Sequence, residues 1–177
     1  MTPQTEMSLL LDRLARLHAA RRRAVALTDA QCATLEYLAR ANRFSRSPSV
    51  VAEYLATTRG TASQTLKALA EKGLIAEEPV EGDRRQRRYA LTELGRTLVA
   101  GWFEAEALDA GGEAALQAAR SLLRTLVAES GAKTFGLCHA CRHHETGPGM
   151  APACRLLGIT LALEEAGQLC HEFAEAG

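Results

Sequence analysis

Residues 66–98 read LKALAEKGLIAEEPVEGDRRQRRYALTELGRTL, and a change of hydrophobic period inside this stretch decides the fold. Up to Lys72, the apolar positions Leu66, Leu69 and Ala70 recur at helical spacing. Gly73 stands where such a helix is C-capped, because glycine accepts a left-handed backbone at no steric cost. Past it the period changes. Residues 74–80 (LIAEEPV) fit a strand and residues 88–91 (RYAL) its partner, with a polar loop carrying Gly82 between them. Thr92 then caps a helix, and Glu93 sits in its first turn, where the helix dipole favours an acid.

Upstream, the helix that holds Leu66 starts near Thr61, and Thr57-Thr58-Arg59-Gly60 breaks the pattern before it. An earlier helix begins at Pro48 with Ser47 as its N-cap and Val50, Val51, Tyr54 and Leu55 as its apolar face. Before that, Thr28 caps a helix running to about Ala41, with Leu35, Leu38 and Ala39 inward. Residues 4–22 form an amphipathic helix with Met7, Leu10, Leu11, Leu14 and Leu17 on one side. Downstream, Leu94, Leu98, Val99 and Trp102 stripe the helix after Thr92, and Gly111-Gly112 interrupts it. A further helix spans about 114–130, with Leu116, Leu122, Leu123, Leu126 and Val127 apolar. The fold expected is mainly α with a small β-wing: a winged helix-turn-helix at 28–96 inside a unit at 1–130, followed by a Cys-rich C-terminal appendage at 131–177.

That order of elements is a nucleic-acid-reading device. The helix beginning near Thr61 offers Thr61, Ser63, Gln64, Thr65 and Lys67 outward, groups able to reach base edges or phosphates, while its other face is apolar. The hairpin loop offers Arg84, Arg85 and Arg87, with Arg88 beside them. Guanidinium groups on a thin loop suit a narrow, negative minor groove. The bland alternative is a solvated helix and a charged hairpin with no ligand; four arginines within five residues at a hairpin tip weigh against it.

Three marks in residues 66–98 sharpen this: L-x-x-K-G-L-I at the helix end, D-R-R at Asp83–Arg85, and L-T-x-x-G at Leu91, Thr92 and Gly95. With them the chain resembles the MarR (multiple antibiotic resistance regulator) family over about residues 4–130. The resemblance implies a transcription regulator that binds double-stranded DNA, as a palindromic operator, through a homodimer. It implies that the first helix and the two helices after the wing intertwine as dimerising terminal helices, and that Arg85 pairs with Asp83. The apolar stripes at 7–17 and 116–127, which need a partner surface, agree with it.

Composition sets the frame. Of 177 residues, 47% are hydrophobic and only 5% aromatic, enough for a packed aliphatic core and against wholesale disorder. The net charge of zero conceals an asymmetry: residues 1–100 hold 16 Lys/Arg against 11 Asp/Glu, residues 101–177 hold 5 against 10. The basic half contains the winged helix, as phosphate binding requires. No secretory signal pattern and no apolar run long enough to span a bilayer is found, so a cytoplasmic protein without membrane contact is expected.

The tail carries Cys138, Cys141, Cys154 and Cys170, spaced C-x2-C-x12-C-x15-C. Cytoplasmic thiols stay reduced, which argues against disulfides. Four thiolates can saturate a tetrahedral zinc ion or ligate an iron–sulfur cluster. An iron–sulfur cluster is favoured over zinc, because one C-x2-C with two dispersed cysteines is unlike the paired knuckles of structural zinc. His139, His143, His144 and His171 lie close in sequence, Arg142 and Arg155 could offset a cluster's charge, and Leu137, Leu156 and Leu157 are expected to shield it. Residues 142–153 read as a loop, and Thr160 as the cap of a last short helix. Cys32, alone in an apolar segment, reads as a small buried hydrophobe. The function expected is a regulator, not an enzyme, whose DNA affinity answers to the metal centre through redox or iron sensing. Alternatives are a zinc-stabilised regulator without sensing, a C-x2-C electron-transfer protein, or a module whose winged helix binds protein.

Overall fold

The computed structural model of the protein describes residues 2–22, 26–79, 87–104 and 112–176. Its helices are α1 (Pro3–Arg21), α2 (Asp29–Arg40), α3 (Pro48–Tyr54), α4 (Arg59–Glu71), α5 (Glu93–Glu104) and α6 (Gly112–Ser130). Between α4 and α5, β1 (Ile75–Pro79) pairs antiparallel with β2 (Arg87–Leu91), Ile75 opposite Leu91. The starts are chemically set. Thr28 accepts from Gln31 N–H at 3.2 Å while Gln31 Oε1 accepts from Thr28 N–H at 3.1 Å, a reciprocal capping box on α2. Ser47 and Thr58 cap α3 and α4 on one side only, accepting from Val50 N–H and Thr61 N–H.

The core sits where α2 crosses α4 and the sheet. Leu35, Leu38, Val51, Leu66, Leu69, Ile75, Leu91, Val99 and Trp102 are buried together. Each aliphatic side chain placed there contributes about 1.5–3 kcal/mol. On α4 the inward set is Ala62, Leu66 and Leu69; Ala70, expected inward, is exposed. Leu94 of the α5 stripe is exposed too.

The L-T-x-x-G mark has a steric cause. Gly73 has φ +69° and turns the chain out of α4. Thr92 N–H then donates to Leu74 O at 3.1 Å, and its hydroxyl donates to Gly73 O at 2.7 Å. Gly95 N–H donates to Thr92 Oγ1 at 3.2 Å, capping α5. This pulls α5 so close to β1 that a Cβ on Gly95 would lie 2.1 Å from Leu74 O. The wing is thereby bolted to the end of α4.

Helices α1 and α6 lie outside the core. No residue of α6 is buried, and Leu10, Leu14, Leu17, Leu116, Leu123 and Leu126 are 42–62% exposed. The end of α1 is tied to α2 by Arg22, whose Nη1 donates to Glu36 Oε2 at 2.6 Å.

After α6 the expectations need correcting. Residues 142–153 are not a loop: β4 (His144–Gly147) pairs with β5 (Met150–Cys154), turning at Pro148-Gly149 where Gly149 has φ +71°. Among the described residues no α-helix follows Thr160. Instead β5 pairs with β6 (Ile159–Thr160), a 3-10 turn covers Leu163–Gly167, and β7 (Leu169–Cys170) pairs with β3 (Gly136–Leu137). The apolar spacing of Ala162, Ala166 and Leu169 imitates a helix, but so short a segment gains little from helical bonds compared with pairing to a distant strand. The close approach of Gly136 to this segment depends on glycine, since a Cβ there would meet the Phe173 ring at 2.6 Å.

Candidate nucleic-acid interface and metal centre

The helix-turn-helix presents α4 with one face in the core and the other free. Thr58 Oγ1 accepts from Thr61 N–H at 3.1 Å, so the cap fixes the first turn. Ser63, Gln64 and Lys67 are exposed, and Thr61 with them; Thr65 is only half-exposed. The Thr65 hydroxyl donates to Thr61 O at 2.9 Å, which restrains it on its own helix. Lys67 lies 4.0 Å from Glu71, both well exposed, a pairing too weak to hold the ammonium away from a phosphate. Sequence reading passed over Arg59 as part of a break. It is the first residue of α4, exposed, and one turn from Ser63. The signal was its place just after a capping threonine.

Arg84 and Arg85, with Asp83, lie outside the described residues. Arg87 lies within them: its Nη1 donates to both carboxylate oxygens of Glu77 at 2.6 Å across the β1–β2 ladder. That exposed pair places the guanidinium at the base of the wing, and the Glu77 hydrogen bond raises the Arg87 pKa. Arg88 is placed over the Phe44 ring, 5.4 Å from its centroid, with Arg43 at 4.6 Å from the same ring.

In the tail, the C-x2-C pair forms a tight turn, Cys141 N–H donating to Cys138 O at 3.0 Å. Ala174 N–H donates to Cys141 Sγ at 3.4 Å. Cys154 ends β5 opposite His144, and Cys170 ends β7 opposite Gly136. Cys138 and Cys170 are buried, Cys141 and Cys154 half-buried, and all four are free thiols. The Cys138 thiol is pushed up to about 11, by burial first and then by Cys170, Cys154 and Cys141. Cys170, Cys154 and Cys141 thus lie near enough to act electrostatically on Cys138. Among the described residues, however, no three His, Cys, Asp or Glu side chains already converge tightly enough to hold an ion.

Of the histidines, His144 Nδ1 lies 3.7 Å from Cys138 Sγ. His139 faces Ala166 O at 3.0 Å, and His171 faces Ser45 and Glu172. Leu137, Leu156 and Leu157 do not shield the thiols: each is at least 40% exposed. Cys32, by contrast, is buried in the main core as expected.

The fold and this exposed α4 face define the chain as a winged-helix protein. The sequence profile of the MarR family matches residues 27–86, the span from α2 to the wing. Among solved structures, the chain is similar to a MarR family transcription regulator at 21% identity and TM-score 0.54, covering 72% of this chain and 91% of that one. It is similar to the Staphylococcus aureus MepR–DNA complex at 22% identity and TM-score 0.52, covering 68% and 96%. Bordetella bronchiseptica BpsR, described for regulation of its DNA binding by 6-hydroxynicotinic acid, matches at 24% identity and TM-score 0.50, covering 68% and 98%. A comparison with curated protein sequences finds no match. Among the described residues no helix is long and apolar enough to cross a membrane.

Proposed function

We propose that the protein is a MarR-type transcription regulator that binds double-stranded DNA as a homodimer and carries a metal centre on Cys138, Cys141, Cys154 and Cys170. The observation that carries the DNA reading is α4: a capped helix, anchored by Leu66 and Leu69, whose opposite face offers Arg59, Ser63, Gln64 and Lys67 together. Gln64 suits a bidentate contact to adenine, and Arg59 and Lys67 suit phosphates. Arg84 and Arg85 would add minor-groove charge.

Dimerisation is supported by the apolar stripes of α1 and α6, which no other described part of the chain covers. Two-fold symmetry of the protein would call for a palindromic operator. The metal reading is supported by four free thiols, three of which act electrostatically on the fourth, buried Cys138. Their closure onto an ion would complete a site whose backbone is already folded. An iron–sulfur cluster remains the favoured occupant and zinc the rival; the former would make the protein a redox or iron sensor, the latter a clipped regulator.

Selection of duplexes from random DNA by the full-length protein tests the first half. A consensus of two inverted half-sites is expected; a pool that stays random contradicts it. Metal analysis and visible absorption of protein purified without oxygen test the second. Brown colour with iron and sulfide supports a cluster, one colourless zinc per chain supports the rival, and metal-free protein removes both.

A further inference from the structure

We propose that the thiol centre is read out by the connection between α2 and α3, residues 41–47, through Leu169 and His171, which flank Cys170 and hydrogen-bond Asn42 and Ser45. The inference rests on the reading that the four cysteines bind metal and that α4 binds DNA.

The contacts are specific and buried. Ala41 and Leu169 form a parallel bridge, and Asn42 N–H donates to Leu169 O at 2.9 Å. His171 N–H donates to Ser45 Oγ at 3.0 Å, and the same oxygen lies 3.2 Å from His171 Nδ1. Ser45 Oγ also donates to Asn42 Oδ1 at 2.7 Å. Ser45 and Asn42 are 0% and 2% exposed. One residue, Cys170, thus separates two anchors on the same buried turn. Arg43 adds a third, donating to buried Glu165 at 2.9 Å.

The turn faces the DNA-binding elements on its other side. Tyr37 O–H donates to Ser45 O at 2.6 Å, from the core of α2. Tyr89 N–H, in the wing, donates to Arg46 O at 3.1 Å. Ser47, next in line, caps α3. A movement of residues 42–45 is therefore passed to the start of the helix-turn-helix and to the wing together. Should the tail let go, Asn42 N–H and Ser45 Oγ would lose partners in a site where unpaired polar groups are costly. The alternative route is through α6, which meets the tail by Arg124 and Glu175. Both of those side chains are more than half exposed, so that pair is a weak lever.

The test uses full-length protein purified without oxygen, before and after its metal is removed by chelator under reducing conditions. Amide hydrogen exchange and fluorescence anisotropy with a selected duplex are recorded in both states. Metal removal is expected to speed exchange in residues 41–47 and to weaken DNA binding about tenfold, the scale of one or two lost buried bonds. Ser45→Ala is expected to blunt that response, and Arg124→Ala to leave it whole. The exchange measurement needs no variant, so misfolding of Ser45→Ala would not rescue the idea. It is overturned if affinity changes while exchange at 41–47 does not, if Arg124→Ala abolishes the response, or if affinity ignores the metal. A protein that never holds metal, or never binds DNA, is recognised in the first assays and sinks the underlying reading instead.

Discussion

Replacing Gly95 by alanine should destabilise the protein, although the position is helical and glycine is a poor helix former. The added Cβ would lie 2.1 Å from Leu74 O, a backbone atom that cannot rotate away. Carbon and carbonyl oxygen normally meet at about 3.3 Å or more, so α5 and β1 must part by about 1 Å. Three bonds cross that junction: Thr92 N–H to Leu74 O, the Thr92 hydroxyl to Gly73 O, and Gly95 N–H to Thr92 Oγ1. At about 1 kcal/mol each, their loss costs about 3 kcal/mol. Improved helix propensity returns up to about 1 kcal/mol, which leaves a net loss of about 2 kcal/mol. Gly101, in the same helix, has open space around its Cβ position. Gly101→Ala should therefore stabilise by about 0.5–1 kcal/mol, the propensity gain alone. Urea unfolding at one fixed protein concentration reads both, as shifts of midpoint with unchanged slope. If Gly95→Ala proves as stable as Gly101→Ala, the junction does not hold the wing to α4 as described.

Other outcomes follow from the same geometry. Gln64→Ala should cost about 1–3 kcal/mol at one base-pair position of the selected site; an unchanged consensus and affinity on random-sequence selection would mean that Gln64 only faces solvent. Arg84→Ala or Arg85→Ala should weaken binding to all duplexes and reduce the slope of log affinity against log salt by about one per lost phosphate contact, as read by anisotropy. Leu14→Asp should break the stripe on α1, where each aliphatic side chain is worth about 1.5–3 kcal/mol when covered; light scattering should then show monomers where the parent chain shows dimers, and a monomeric parent that still binds DNA would refute the pairing. Serine at any of Cys138, Cys141, Cys154 or Cys170 should sharply lower metal content by elemental analysis, while Cys32→Ser in the core should leave it unchanged.

The winged helix was legible because its signals are local. Thr28, Ser47 and Pro48 sit where caps must be, and Gly73 marks the switch from helical to strand period. The spacing of the four cysteines points to a single site, whereas among the described residues no three ligand side chains converge on one point. The tail's secondary structure was not, because it depends on partners far along the chain: Leu169 and Cys170 become a strand only by pairing with Gly136 and Leu137. The same limit hid the contacts of the tail with Asn42 and Ser45, more than a hundred positions away. Leu137, Leu156 and Leu157 misled because apolar neighbours in sequence need not point at the site. Arg87 misled in part, since its cross-strand partner Glu77 becomes visible only once the ladder register is known.

The central claim is that this chain reads DNA through an electropositive winged helix. The measurement that tests it most directly is a salt titration of duplex binding by the full-length protein, followed by fluorescence anisotropy. The expected result is a log affinity that falls linearly and steeply with log salt concentration, as counterions are released from several phosphates. An affinity that stays flat with salt, or no binding at the lowest salt, would contradict the account.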